Sequence, residues 1–159
     1  MSFTYCDPTS WDIYFIKLAE LISTKSKDPS TKVGAVIVGA DNEILSTGFN
    51  GFPRGVDESI PSRWERPDKY KWIVHAEANA VANAARIGVS LKNTVMYMNF
   101  QPQPCTGCAA IVSQAGIITI KGPDRVFSGV GKHVHYDVDD IANEMMHEVN
   151  MNRIVIRNS

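Results

Sequence analysis

The sequence predicts an α/β fold of three layers, with helices on both faces of a five-stranded mixed sheet. Three observations carry this. An amphipathic helix opens the pattern and a strand pair follows it. From residue 75 onward, helical and strand-like segments alternate three times. Strands separated by helices pair through parallel crossovers. The 159 residues are 44% hydrophobic and 21% charged. That fits one globular domain over residues 1–159 and excludes a disordered or low-complexity chain.

Thr9-Ser10 is an N-cap pair, and Trp11, Phe15, Leu18, Ala19 and Ile22 recur at helical spacing. Residues 10–24 therefore form a helix, which Asp28-Pro29-Ser30 ends. Val33 to Val38 is a short β-branched run that reads as a buried strand. After the turn Ala40-Asp41-Asn42, Glu43 to Phe49 is its hairpin partner. Residues 50–71 carry Gly51, Pro53, Gly55, Pro61 and Pro67 without periodicity, and so long a loop is usually functional and costly to order without a ligand. The Ala-rich run from His75 to Ile87 is a helix with Gly88 at its C-cap. Thr94 to Phe100 is a strand, Cys105 to Ala115 a helix stopped by Gly116, and Ile117 to Ile120 a strand. Residues 121–137 show no readable pattern. Asp139-Asp140 opens a last helix with Ile141, Met145 and Val149 every four residues, and Arg153 to Ile156 is the final strand.

Charge and length exclude several functions. The net charge is -1, from 16 basic and 17 acidic residues, which argues against a stable nucleic-acid partner. No apolar run approaches the roughly 18–20 residues of a membrane span. The start, Met-Ser-Phe-Thr-Tyr-Cys-Asp-Pro, has no secretory signal pattern. Three Cys make no disulfide framework, so a cytoplasmic setting is expected.

The chemistry sits at two helix starts. His75-Ala76-Glu77 opens one, and Pro104-Cys105-Thr106-Gly107-Cys108 opens the next. Cysteines at i and i+3 point the same way, so both thiolates can meet one metal, with His75 as third ligand. One His and two Cys leave the fourth tetrahedral position of a zinc ion open, the arrangement of a catalytic rather than a structural site. Helix N-termini also favour thiolate. Zinc lowers the pKa of bound water towards about 7, and Glu77, two residues beyond the ligand, is placed to shuttle its proton. H-x-E followed by P-C-x-x-C is the signature of zinc nucleobase deaminases. Cys6 could close the site as a fourth ligand only if the N-terminal tail folded over it; otherwise it is a bystander thiol.

At this point the sequence resembles the deoxycytidylate (dCMP) deaminases of the cytidine deaminase superfamily. Ser26-Lys27-Asp28-Pro29 leading into Val33-Gly34-Ala35-Val36-Ile37-Val38 carries the resemblance. So do Gly48-Phe49-Asn50-Gly51-Phe52-Pro53, Trp64, and His75-Ala76-Glu77-Ala78-Asn79-Ala80. Gly48 to Gly51 is similar to the family's Gly-Tyr-Asn-Gly, with Phe49 in place of Tyr. The likeness covers about residues 10–120. It implies the cytidine-deaminase-like three-layer fold, one zinc per chain, deamination of dCMP to dUMP for thymidylate synthesis, and a homohexamer. It also implies activation by dCTP and inhibition by dTTP, with Mg2+ accompanying the triphosphate. Phe100-Gln101-Pro102-Gln103-Pro104 is longer than the family's approach to the first Cys, and the stretch after Ile120 lacks its Tyr-rich pattern. The other readings are a tRNA adenosine or free cytidine deaminase, and a structural-zinc or nucleotide-sensing protein.

The remaining candidates each have two readings. Asn50 is a sugar-hydroxyl contact, as the superfamily implies, or forms a turn with Gly51. Ala76 offers a backbone N–H to the base. Lys25 and Lys27 bind the substrate phosphate or complement a helix C-terminus. Phe49, Asn50, Gly51, Arg54, Glu58 and Trp64 form the effector-nucleotide site. For Arg54 and Glu58 the alternative is a solvated charge, and for Trp64 an anchor of the long loop. His133, His135 and His147 read as surface or packing residues, and Met145 and Met146 as core.

Overall fold

Residues 3–125 and 140–157 are described in the structure, a computed structural model. In chain order the elements are β1 (Thr4–Cys6), α1 (Ser10–Ser23), β2 (Gly34–Val38), β3 (Ile44–Phe49), a 3-10 turn (Pro61–Trp64) and α2 (Lys69–Trp72). They continue with α3 (Ala76–Ile87), β4 (Thr94–Met98), α4 (Thr106–Gln114), β5 (Ile117–Pro123), α5 (Asp140–Glu148) and β6 (Asn152–Ile156). One mixed sheet runs β1-β6-β5-β4-β2-β3. β2 is antiparallel to both β3 and β4, while β4, β5, β6 and β1 are mutually parallel. The expected helix-and-strand order is present, with six strands rather than five. The extra strand is β1, three residues that are too short to show alternation and end at Asp7-Pro8. His133 and His135, and the unpatterned stretch beyond Arg125, lie outside the described residues. Among those described, no helix is long and apolar enough to cross a membrane.

The sheet's two faces follow from period-two alternation. In β2, Ala35 and Ile37 join Met96, Met98, Val112 and Met146 in a core under α3, α4 and α5. Val36 and Val38 join Phe15, Ile16, Ala19 and Tyr97 under α1. Every residue of β2 is buried, as a strand covered on both faces must be. Thr9 caps α1 with the reciprocal bonds of a capping box: its Oγ1 accepts from the Asp12 N–H at 3.1 Å and its own N–H donates to Asp12 Oδ2 at 3.0 Å.

Helix α3 carries the first half of the site, and its seating is fixed by small residues. Ala76, Ala80 and Ala84 form its buried stripe. Opposite them Gly48 of β3 lets the backbones touch, because a Cβ there would overlap backbone atoms of Ala76 and Ala80. Gly88 ends the helix at φ 83°, a conformation glycine adopts without penalty.

Candidate active site

His75 and Cys105 are the N-cap residues of α3 and α4, both in extended conformation, and neither uses its side chain to cap its helix. Cys108 is buried in the first turn of α4. The parallel β4 and the alanine stripe bring the two helix starts together. His75 Nδ1 lies 3.4 Å from Cys105 Sγ and 3.5 Å from Cys108 Sγ. All three donor atoms fall within 4.8 Å of one another. A tetrahedral ion with Zn–S near 2.3 Å and Zn–N near 2.0 Å has an N···S edge of about 3.5 Å. The donor set and its spacing therefore fit zinc.

The charges support the same use. The hydrogen bond from Cys108, with help from His75, holds the Cys105 thiol at about 4 against the opposing effect of burial. The same bond, and burial, push the Cys108 thiol up. A divalent cation takes the place of such a shared proton. His75 is raised above its ordinary value by the bond to Cys105, with burial opposing. Glu77, in the first turn of α3, is 7% exposed, and burial raises its carboxyl above the usual range, with the charge of His75 opposing. A buried carboxyl of raised proton affinity, two residues from His75, suits general acid–base work.

The sequence pattern of the cytidine and deoxycytidylate deaminase zinc-binding region matches residues 9–121. The chain belongs to this deaminase family. A probable deoxycytidylate deaminase of Drosophila melanogaster is 39% identical over 118 residues, 67% of this chain and 56% of that protein. An uncharacterised deaminase of Aliivibrio fischeri is 41% identical over 117 residues, 74% of this chain and 75% of that one. The chain thus spans a little over half the length of the Drosophila relative. A dCMP deaminase from the cyanophage S-TIM5, crystallised with dCMP and dUMP, has the same fold. Its TM-score is 0.69 at 22% identity, over 94% of this chain and 98% of that one.

Two cavities of this deaminase-family chain gather polar side chains. The smaller, about 320 Å³, is lined by Lys25, Lys27, Phe49, Gly51, Arg54 and Glu58 among others. It gathers most of the residues read as an effector site, and it gathers Lys25 and Lys27 with them. Lys27 pairs with Glu58 at 2.6 Å, and Arg54 donates to Asn83 Oδ1 at 2.6 Å. Trp64 is a loop anchor: it stacks on Phe52 at 4.1 Å between centroids and its Nε1–H donates to the Glu58 carbonyl at 2.9 Å. The long loop thus has its own aromatic packing, and a Gly51–Val74 bridge closes its base.

The larger cavity, about 520 Å³, is lined by Ser30, Thr31, Lys32, Asn99 and Arg125 among others. The motifs did not point to Lys32, Asn99 or Arg125, because they come from three distant segments. The Phe100–Pro104 approach packs onto the end of β5, with the Gln101 N–H donating to the Arg125 carbonyl at 3.0 Å. Asn50 is buried, and its side chain braces the Thr31 wall of the larger cavity. Its Oδ1 accepts from the Val33 N–H at 2.8 Å, and its Nδ2 donates to the Thr31 carbonyl at 2.8 Å and to Asp28 Oδ2 at 3.2 Å. Asn99, just past β4, braces the Lys32 side of the same cavity, accepting from the Gly34 N–H at 2.9 Å and donating to the Lys32 carbonyl at 3.1 Å. Sequence reasoning also missed Asp28 and Lys69, which form an ion pair at 2.7 Å with side chains 1% and 5% exposed.

Proposed function

We propose that this chain is a zinc-dependent hydrolase that deaminates dCMP to dUMP, supplying dUMP for thymidylate synthesis. The observation that carries the reading is the convergence of His75, Cys105 and Cys108 beside buried Glu77 at two helix starts. Deoxycytidylate deaminases among the relatives, and the dCMP and dUMP bound by the cyanophage protein, support the substrate. The three ligands would hold one zinc ion, which supplies Lewis acidity and lowers the pKa of water towards about 7. Glu77 would take one proton from the attacking water and deliver it to ring N3, then take a second from the new C4 hydroxyl and deliver it to the amine, which leaves as ammonia. The balance is dCMP plus water to dUMP plus ammonia. The Ala76 backbone N–H is the donor we assign to the base. Lys32, Arg125 and the hydroxyls of Ser30 and Thr31 make the larger cavity a suitable place for the 5′-phosphate.

The smaller cavity is assigned to a triphosphate effector with its Mg2+, dCTP activating and dTTP inhibiting, with Lys25, Lys27 and Arg54 as its cations. Exposed Trp11, Tyr14 and Leu21 on α1 support association of copies, which we assign to a cytoplasmic homohexamer. The test is ammonia release from dCMP, cytidine and tRNA in parallel, with dCTP or dTTP added, beside mass determination in solution. Turnover of dCMP in preference to the other two is expected. Preference for tRNA or cytidine overturns the substrate. Unchanged hyperbolic kinetics with both nucleotides removes the effector site, and a monomer or dimer at micromolar concentration removes the hexamer.

A further inference from the structure

The Asp28–Lys69 pair belongs to neither apolar core. Burying two charges costs desolvation that their attraction often fails to recover, so such a pair is weak evidence of a stabilising role. Its placement is more informative. Lys69 lies on α2, in the strap that ends at His75. Its Nζ donates to Asp28 Oδ1 at 2.8 Å, pairs with Oδ2 at 2.7 Å, and donates to Ser30 Oγ at 2.7 Å. An ammonium has three donors, and these acceptors use them. Asp28 in turn accepts from the Ser30 N–H at 2.8 Å, the Thr31 N–H at 3.1 Å and Asn50 Nδ2 at 3.2 Å. One buried carboxylate and one buried ammonium therefore hold Ser30 and Thr31, which wall the larger cavity, against the strap and against the end of β3.

We infer that Lys69, acting through Asp28 and Ser30, is a positioning residue for nucleotide binding: it fixes the Ser30–Thr31 wall of the larger cavity. This rests on the reading of the chain as a dCMP deaminase. Lys69 acts on binding more than on turnover because His75 has other supports. The Gly51–Val74 bridge holds the strap just before it, and the α3 helix follows. Loss of the ammonium leaves the metal corner in place and releases the wall.

The experiment compares wild type, Lys69→Met and the double variant Asp28→Asn/Lys69→Met in dCMP kinetics, zinc content and urea unfolding. Lys69→Met is expected to raise KM for dCMP about tenfold or more, the effect of losing a charged hydrogen bond. Its kcat should stay within about threefold and its zinc content should be unchanged. The double variant removes the uncompensated buried carboxylate and should recover the urea midpoint. Its KM should stay high, because Ser30 still lacks its donor. A KM that returns to the wild-type value as stability returns overturns the inference, as does an unchanged KM in Lys69→Met. If neither variant folds, Lys69→Gln, which keeps a donor but not the charge, decides: raised KM at unchanged kcat supports it, and unchanged KM overturns it. A wild-type chain that does not turn over dCMP overturns the deaminase reading and this inference together. An active wild type with unmoved variants overturns this inference alone.

Discussion

Asp12 and Glu77 are buried carboxyls, each in the first turn of a helix, and the protein drives them in opposite directions. Burial alone would raise both. At Asp12 it is outweighed by donors: Lys121 Nζ at 2.9 Å, Thr9 through its hydroxyl at 2.7 Å and its N–H at 3.0 Å, and the Tyr97 hydroxyl at 2.8 Å. They hold Asp12 at about 2, while burial and then Asp12 push the Tyr97 phenol up. At Glu77 burial prevails over the charge of His75, and the carboxyl stays above its ordinary range. The same carboxyl chemistry in the first turn of a helix therefore gives a carboxylate locked by donors in one place and a carboxyl of raised proton affinity in the other. The number of strong donors aimed at the oxygens makes the difference.

This contrast can be broken or sharpened in four ways. The largest effect is expected where a donor is taken from the metal corner. Cys105→Ala should lose the metal and the activity together, falling well below about one zinc per chain in elemental analysis. Full zinc retention would remove Cys105 from the ligand set. Next comes Glu77→Gln, which keeps size and burial but cannot carry a proton. We expect kcat on dCMP to fall about 10²–10⁴-fold with zinc content and melting temperature unchanged. A variant within about tenfold of wild type would place Glu77 with Asp12 as a structural group. The reverse pattern is expected of Asp12→Ala, which strands the Lys121 ammonium and the Tyr97 hydroxyl and removes half the capping box. Stability measured by urea unfolding should drop by about 2–3 kcal/mol while kcat per folded molecule is kept. A lost kcat at retained stability would contradict the division of roles.

The smallest effect is the acid dependence of stability. The Asp12 carboxyl is lower in the folded state, about 2 against 3.8, so its contribution is fully present above pH 3.8. It is lost as pH falls through about 2. Asp28, lowered against its burial chiefly by the Lys69 hydrogen bond, adds in the same direction. Acid unfolding followed by circular dichroism should be less steep in Asp12→Asn than in wild type over that window. Identical profiles would show that Asp12 is not held ionised by its donors.

The convergence of His75, Cys105 and Cys108 was legible because the three sit at helix starts, and the helix pattern itself says that those starts are N-termini. The two sheet faces were legible from alternation in β2. Contacts set by distant pairing were not. Lys69 and Asp28 are separated by 41 positions, and no local pattern marks either as buried. Asn50 carries a turn-like dipeptide signal, yet its side-chain partners lie 17, 19 and 22 positions away, so its role in the wall follows only from the fold. Trp64 carries two readings in the sequence because no local pattern marks Phe52 as its stacking partner. β1 was missed because three residues give alternation no length over which to show itself.

Gly48 has no side chain and no charge, yet the helix that begins at His75 rests on it. A Cβ at that position would meet the backbone of Ala76, the residue next to His75. The accuracy of the corner is therefore a matter of clearance between two backbones, in the way that a bearing depends on its gap. A library randomised at position 48 should return chains with every ligand present and the ligands out of alignment. In a screen for lost activity such variants would be scored as defects of the metal site, although no metal-site residue had been touched.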